Sequence, residues 1–121
     1  MPHQFPTVLI VDPDESTRHF VRDMLAKLEI ATIEAETVEQ TRAALVAGHS
    51  VHVALLEVNL PHVPGDVLAE EMVRAGVVPI LMTVSDYGNV RGRRTQFPLL
   101  RKPFTVKDAL REIIRALPDR R

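Results

Sequence analysis

The sequence predicts one α/β domain, a doubly wound parallel sheet with helices on both faces, and three observations point there. Several short runs are apolar throughout, as strands covered on both faces must be. They alternate with segments whose apolar residues recur at helical spacing. At 121 residues, 45% hydrophobic and 26% charged, the chain has the size and balance to close one core without crosslinks. A single domain over residues 1–121, with no output domain, is therefore expected.

Val8 to Val11 is a β-branched apolar run halted by Asp12, Pro13 and Asp14, and reads as the first strand. Ser16 then precedes Phe20, Val21, Met24, Leu25 and Leu28, one apolar stripe with Arg18, Arg22 and Asp23 outside it, which predicts a helix. Ala31 to Glu36 alternates apolar and acidic residues, the pattern of an edge strand with one wet face. Thr37 and Gln40 stand at capping-box spacing before Ala44 and Leu45, with Gly48 as the stop of a second helix.

Val51 to Val58 is the next buried strand. Pro61 to Gly65 is a turn-rich loop before Val67, Leu68, Met72 and Val73, and Gly76 closes that third helix. Val77 to Val84 is almost wholly apolar, and Phe97 to Leu100 is a fifth apolar run. Thr105 caps a last helix with Val106, Leu110, Ile113, Ile114 and Leu117 on its inner face. Between Val84 and Phe97 the rhythm breaks: Asp86, Tyr87, Gly88, Asn89 and Gly92 are weak helix formers without an apolar stripe, so a loop or at most one helical turn is expected.

Composition also excludes several chemistries. With no cysteine, neither a disulfide framework nor a thiolate metal site can form. No secretory signal opens the chain, and no run approaches the roughly 18 apolar residues of a membrane span, so a cytoplasmic protein without membrane contact is expected. Net charge is −1 but segregated: residues 1–90 hold 5 Lys/Arg against 13 Asp/Glu, and residues 91–121 hold 10 against 3. Such asymmetry marks a nucleic-acid surface in some proteins and self-complementarity in others; with no reader motif, nucleic-acid binding is not expected. His3, His19, His49, His52 and His62 lack metal-ligand spacing, no Gly-rich phosphate loop follows the first strand, and Ser16 and Ser85 lack a partner base. No enzymatic activity is expected.

An open parallel sheet binds ligands at the carboxyl ends of its strands. There the sequence places Asp12, Asp14 and Glu15 after strand one, Glu57 and Asn59 at the end of strand three, Ser85 and Asp86 after strand four, and Lys102 after strand five. Carboxylates facing one lysine suit a hard cation such as Mg²⁺ beside a phosphate. Singly, each residue is uninformative, because strand ends and loops are polar in any fold. Order and spacing together carry the signal.

Val8-Leu9-Ile10-Val11-Asp12, Leu55-Leu56-Glu57-Val58-Asn59-Leu60-Pro61 with Gly65, Pro79-Ile80-Leu81-Met82, and Lys102-Pro103-Phe104 resemble the receiver domains of two-component response regulators, chemotaxis-regulator-like, over essentially the whole chain. The resemblance implies a flavodoxin-like, five-stranded parallel sheet in the order 2-1-3-4-5. It also implies a strand-three aspartate that accepts a phosphoryl group from a histidine kinase, Mg²⁺ held by acids after strand one, and switch residues on strands four and five.

The chain departs from that pattern in its pocket, as an atypical, degenerate member would. Glu57 stands at the phosphoacceptor position, one methylene too long for in-line transfer. Pro13 replaces the second acid after strand one, so a direct metal ligand is lost. Val84 and Leu99 fall at the hydroxyl and aromatic switch positions, with Thr83 and Ser85 one residue to either side. The shortened segment holding Arg91, Arg93 and Arg94 replaces the family's fourth helix. What survives is Asp12, Glu57 and the backbone carbonyl of Asn59 as a weakened Mg²⁺ set, with Lys102 as the phosphate or carboxylate partner. Asp14 is open to two readings, a substitute metal ligand or a solvated acid at a helix N-terminus, the second favoured.

The expected function is an atypical, phosphorylation-independent interaction module in phosphorelay signalling. A permanent pair between Glu57 and Lys102 would either imitate the phosphorylated state or be purely structural. The partners implied are a histidine kinase or a downstream effector, and a homodimer is compatible with the family. Two alternatives remain open: a phosphorylatable receiver with an unusual acceptor, and a small-ligand domain on the same fold.

Overall fold

Strands that must hide both faces need two helical layers, and the chain supplies them. A computed structural model describes residues 7–47, 50–84 and 97–117. The order is β1 (Thr7–Val11), α1 (Glu15–Ala26), β2 (Ala31–Ala35), α2 (Val38–Val46), β3 (Val51–Glu57), α3 (Gly65–Arg74), β4 (Val78–Thr83), β5 (Leu99–Arg101) and α4 (Val106–Ala116). The strands form one sheet ordered β2-β1-β3-β4-β5, and every neighbouring pair is parallel. This is the expected doubly wound, flavodoxin-like arrangement. No helix among the described residues is long and apolar enough to cross a membrane.

Alternation along each strand sorts the core into two layers. Val8 and Ile10 of β1, Val53 and Leu55 of β3, Ile80 and Met82 of β4 and Leu100 of β5 face α1 and α4, packing on Val21, Leu25, Ala109 and Ile113. Leu9, Val11, Ala54, Leu56 and Leu81 face the other way, onto Ala44 of α2 and Leu68, Ala69 and Met72 of α3. The edge strand β2 is only partly buried, as its alternation predicts.

Three of the helix starts show how local chemistry sets them. Asp14 is the N-cap of α1: its carboxylate accepts the Ser16 N–H at 3.3 Å and the Thr17 hydroxyl at 2.7 Å. At α2 the Thr37 hydroxyl accepts the Gln40 N–H, while the Gln40 side chain reaches one residue further back, to the N–H of Glu36. At α4 Thr105 and Asp108 close a reciprocal capping box. After α3, Gly76 adopts φ +84°, and the Val77 N–H returns to the Met72 carbonyl, a glycine stop of the Schellman kind.

The helical stripes are narrower than the sequence suggests. Phe20 and Leu28 of the α1 region, Val73 of α3, and Val106 and Ile114 of α4 are exposed, Ile114 by 66%, so these five are corrected from inner face to surface. The stop at Gly48 and the expected loop between Val84 and Phe97, with Ser85, Asp86 and the three arginines, lie outside the described residues.

Candidate functional site at the carboxyl ends of the strands

Strand periodicity builds the site. Asp12, Glu57, Val84 and Lys102 each stand two residues beyond a buried member of the α1/α4 layer, namely Ile10, Leu55, Met82 and Leu100. With a period of two, all four belong to the same side of the sheet, at the end where parallel strands terminate together. Thr83 belongs to the opposite row with Leu81, and the pairing of Thr83 with Arg101 shows no slip that exchanges the rows.

Lys102 gathers the cluster. Its Nζ donates to Oδ2 of Asp12 at 2.6 Å and to Oε1 of Glu57 at 2.5 Å. The remaining carboxylate oxygens are engaged by backbone: Oδ1 of Asp12 accepts the Asp14 N–H at 2.9 Å, and Oε2 of Glu57 accepts the Asn59 N–H at 2.7 Å. Asp12 is 1% and Glu57 6% exposed, so both charges lie where an unpaired carboxylate is costly. Burial pulls the Lys102 ammonium toward neutrality, but hydrogen bonds to Asp12 and Glu57, and the charges of both, outweigh it and raise its pKa.

Neighbouring groups fix these side chains. The Lys102 backbone N–H donates to the Thr83 carbonyl, tying the end of β5 to the end of β4. Gly65 lies so close to Val58 that an added Cβ would come within 2.7 Å of its Cα, so only glycine lets the loop after Glu57 return against β3. Arg18, which the helical pattern puts simply outside the apolar stripe, reaches the site: Nη1 donates to the Asp12 carbonyl at 2.7 Å and Nε to Glu34 at 3.1 Å. Its position four residues after the cap Asp14 points the side chain back over the helix start, which is the signal that locates it.

The other residues singled out fall as follows. Asp14 turns its carboxylate to the helix start, where the Thr17 hydroxyl above all, helped by the backbone N–H groups of Ser16 and Thr17, holds its pKa below the usual value against the opposing effect of burial. Asn59 contacts Glu57 through its N–H. Val84 is 65% exposed, and Leu99 is partly buried against the α2/α3 layer. Of the described histidines, His52 accepts the Thr7 N–H and His19 lies beside Glu15. No three His, Cys, Asp or Glu side chains among the described residues converge as metal ligands.

Of the Mg²⁺ set implied by the resemblance, Asp12 and Glu57 are together in space, but they are poorly suited to the ion. Mg²⁺ demands near-octahedral oxygen coordination at about 2.0–2.1 Å. Here Pro13 supplies no side-chain oxygen, Asp14 is a cap, and the two remaining carboxylates converge on an ammonium.

Beside Lys102 opens a pocket of about 570 Å³ whose described lining runs from Ser16, Thr17 and Phe20 to Val84 and the Lys102-Pro103-Phe104 stretch. Phe20 and Phe104 meet edge to face in its wall.

No protein-family model and no curated protein matches the sequence. Solved structures do. The chain is similar to a CheY-like response regulator receiver domain from Methanospirillum hungatei JF-1, at 22% identity over 93% of each chain with a TM-score of 0.77. A signal receiver domain of an HD domain-containing protein from Pseudomonas fluorescens Pf-5 matches at 21% identity and TM-score 0.80, over 93% of this chain and 94% of that one. Chemotaxis protein CheY4 of Vibrio cholerae matches at 21% identity and TM-score 0.77, over 94% of this chain and all of that one. The chain has the receiver-domain fold.

Proposed function

We propose that this domain serves response-regulator signalling as a non-enzymatic, atypical receiver, an interaction module whose output does not depend on phosphorylation. The observation that carries the reading is the bridge from Lys102 to Glu57 and Asp12. Glu57 stands at the acceptor position with both oxygens hydrogen-bonded, one to the ammonium and one to a backbone N–H. Its extra methylene carries fixed negative charge toward the place a phosphoryl group would take, and moves the carboxylate away from in-line attack. The partner is a signalling protein, a histidine kinase or a downstream effector, that recognises this constitutive surface.

Incubation with acetyl phosphate and Mg²⁺, followed by intact-mass measurement, tests the reading. The natural sequence gains no phosphoryl group, and Glu57→Ala weakens capture of the signalling partner in cross-linking while added phosphodonor does not change it. A phosphoryl adduct on Glu57, or partner capture that climbs with phosphodonor, sinks it in favour of a receiver with an unusual acceptor.

One observation favours a second reading. The pocket beside Lys102 has the volume and apolar walls of a small-molecule site, and Lys102 is the one cation among its described lining residues. A small anionic ligand with an apolar body is the class that fits. Thermal shift against a panel of such metabolites gives stabilisation if this reading holds, and no change if it fails.

A further inference from the structure

We infer that Lys102 is the resident cation of this pocket: its ammonium takes the carboxylate oxygens that a divalent ion needs, and it thereby excludes such ions. The inference concerns the pocket alone and stands whether or not the partner reading above is right.

Three features carry it. The first is position, since one ammonium lies within hydrogen-bond distance of both buried carboxylates at once. A divalent ion shared by Asp12 and Glu57 would have to sit against that ammonium or expel it, and expulsion breaks both of its ion pairs. The second is charge: two carboxylates and one ammonium leave a single net negative charge, where removal of the lysine leaves two. The third is the shortage of substitutes among the described residues. Pro13 has no side-chain donor, and Asp14 accepts hydrogen bonds from Ser16 and Thr17 instead of facing the cluster. Val84, which continues the row of Asp12 and Glu57, is apolar and gives neither the ion nor the lysine an acceptor.

The consequence is a pocket whose electrostatics are set by covalent structure instead of by the ion content of the surroundings. Its conformation is then insensitive to Mg²⁺, and removal of the ammonium converts the same two carboxylates into a divalent-cation site.

Manganese broadening of backbone amides is the direct test, with Mn²⁺ titrated into the natural protein, Lys102→Met and Lys102→Gln. In the natural protein the amides of Asp12, Glu57 and Asn59 are expected to broaden no more than those around exposed carboxylates such as Glu39. In either variant the same three amides broaden selectively, at Mn²⁺ concentrations at least tenfold lower, and Mg²⁺ raises the melting temperature. If a variant folds only when Mg²⁺ is added, that rescue also supports the inference. Selective broadening at Asp12 and Glu57 in the natural protein overturns it, as does a folded variant that gains no affinity. Should neither variant fold, the natural protein's spectrum decides alone.

Discussion

Lys102 and Asp12 lie 90 residues apart in the chain, yet Nζ of one donates to Oδ2 of the other at 2.6 Å, across a sheet in which β1 and β5 are separated by β3 and β4. The same ammonium reaches Glu57, so a single side chain links the ends of three strands. Breaking this bridge from the lysine side strands two buried carboxylates. Lys102→Met is expected to cost about 3–5 kcal/mol of folding stability, whereas Glu57→Gln, which leaves Lys102 paired with Asp12, costs about 1–3 kcal/mol. Urea unfolding measures both. Equal costs, or a Lys102→Met cost below about 1 kcal/mol, are incompatible with a bridging role.

The bridge also sets an alkaline limit. Burial opposes the Lys102 charge, but hydrogen bonds and the charges of Asp12 and Glu57 prevail and raise its pKa above 10.5. A group whose pKa is higher folded than unfolded stabilises fully below the unfolded value and loses that contribution as pH rises through the folded one. The contribution of Lys102 is therefore constant through neutral pH and lost above about pH 10.5. Thermal melts should show that decline in the natural protein and a smaller one in Lys102→Met. At the acid end, Asp14 has a lowered pKa, so its cap is complete above 3.8 and weakens as pH falls through the lower folded value. Asp14→Asn should blunt that acid loss.

Two glycines are constrained for different reasons. Gly65→Ala drives a Cβ into the backbone of Val58 and is expected to cost about 1–3 kcal/mol while shifting the amides of Glu57 and Asn59. Gly76→Ala meets nothing within 4 Å but must hold φ +84°, so roughly 1–2 kcal/mol is lost with no change at the site. Melts combined with amide spectra separate the two. Disturbed Glu57 amides in Gly76→Ala would contradict the assignment.

By contrast, the bidentate pair between Arg42 and Glu71, at 2.9 and 2.7 Å, joins α2 to α3 on the surface. The Arg42 hydrogen bond lowers the Glu71 pKa despite some burial. Solvent screens such pairs, so Glu71→Gln should change stability by no more than about 1 kcal/mol, and less in high salt. A larger loss would show that α2 and α3 depend on this clasp instead of on the apolar layer around Leu68 and Met72.

Most of the fold is legible in the chain because β1, β3 and β4 are apolar on both faces, which only two helical layers satisfy. The cluster of Asp12, Glu57 and Lys102 is legible for a related reason: parallel strands end together, so residues after each strand share a rim. What the sequence conceals is how each side chain divides its partners. Periodicity does not reveal that Lys102 bridges Asp12 as well as Glu57, or that Arg18 clasps the Asp12 carbonyl. Nor does it reveal that Phe20, Val106 and Ile114 are exposed, since an apolar stripe gives a direction and no depth.

Whether Glu57 and Lys102 close the pocket to phosphoryl chemistry is decided by titrating Mg²⁺ and beryllofluoride, a phosphoryl mimic, against backbone amides followed by NMR, with Glu57→Asp alongside. The amides around Asp12, Glu57 and Lys102 are expected to stay unmoved in the natural sequence. Specific, saturable shifts at those residues in the natural sequence would contradict the claim and make the domain a chemically competent receiver.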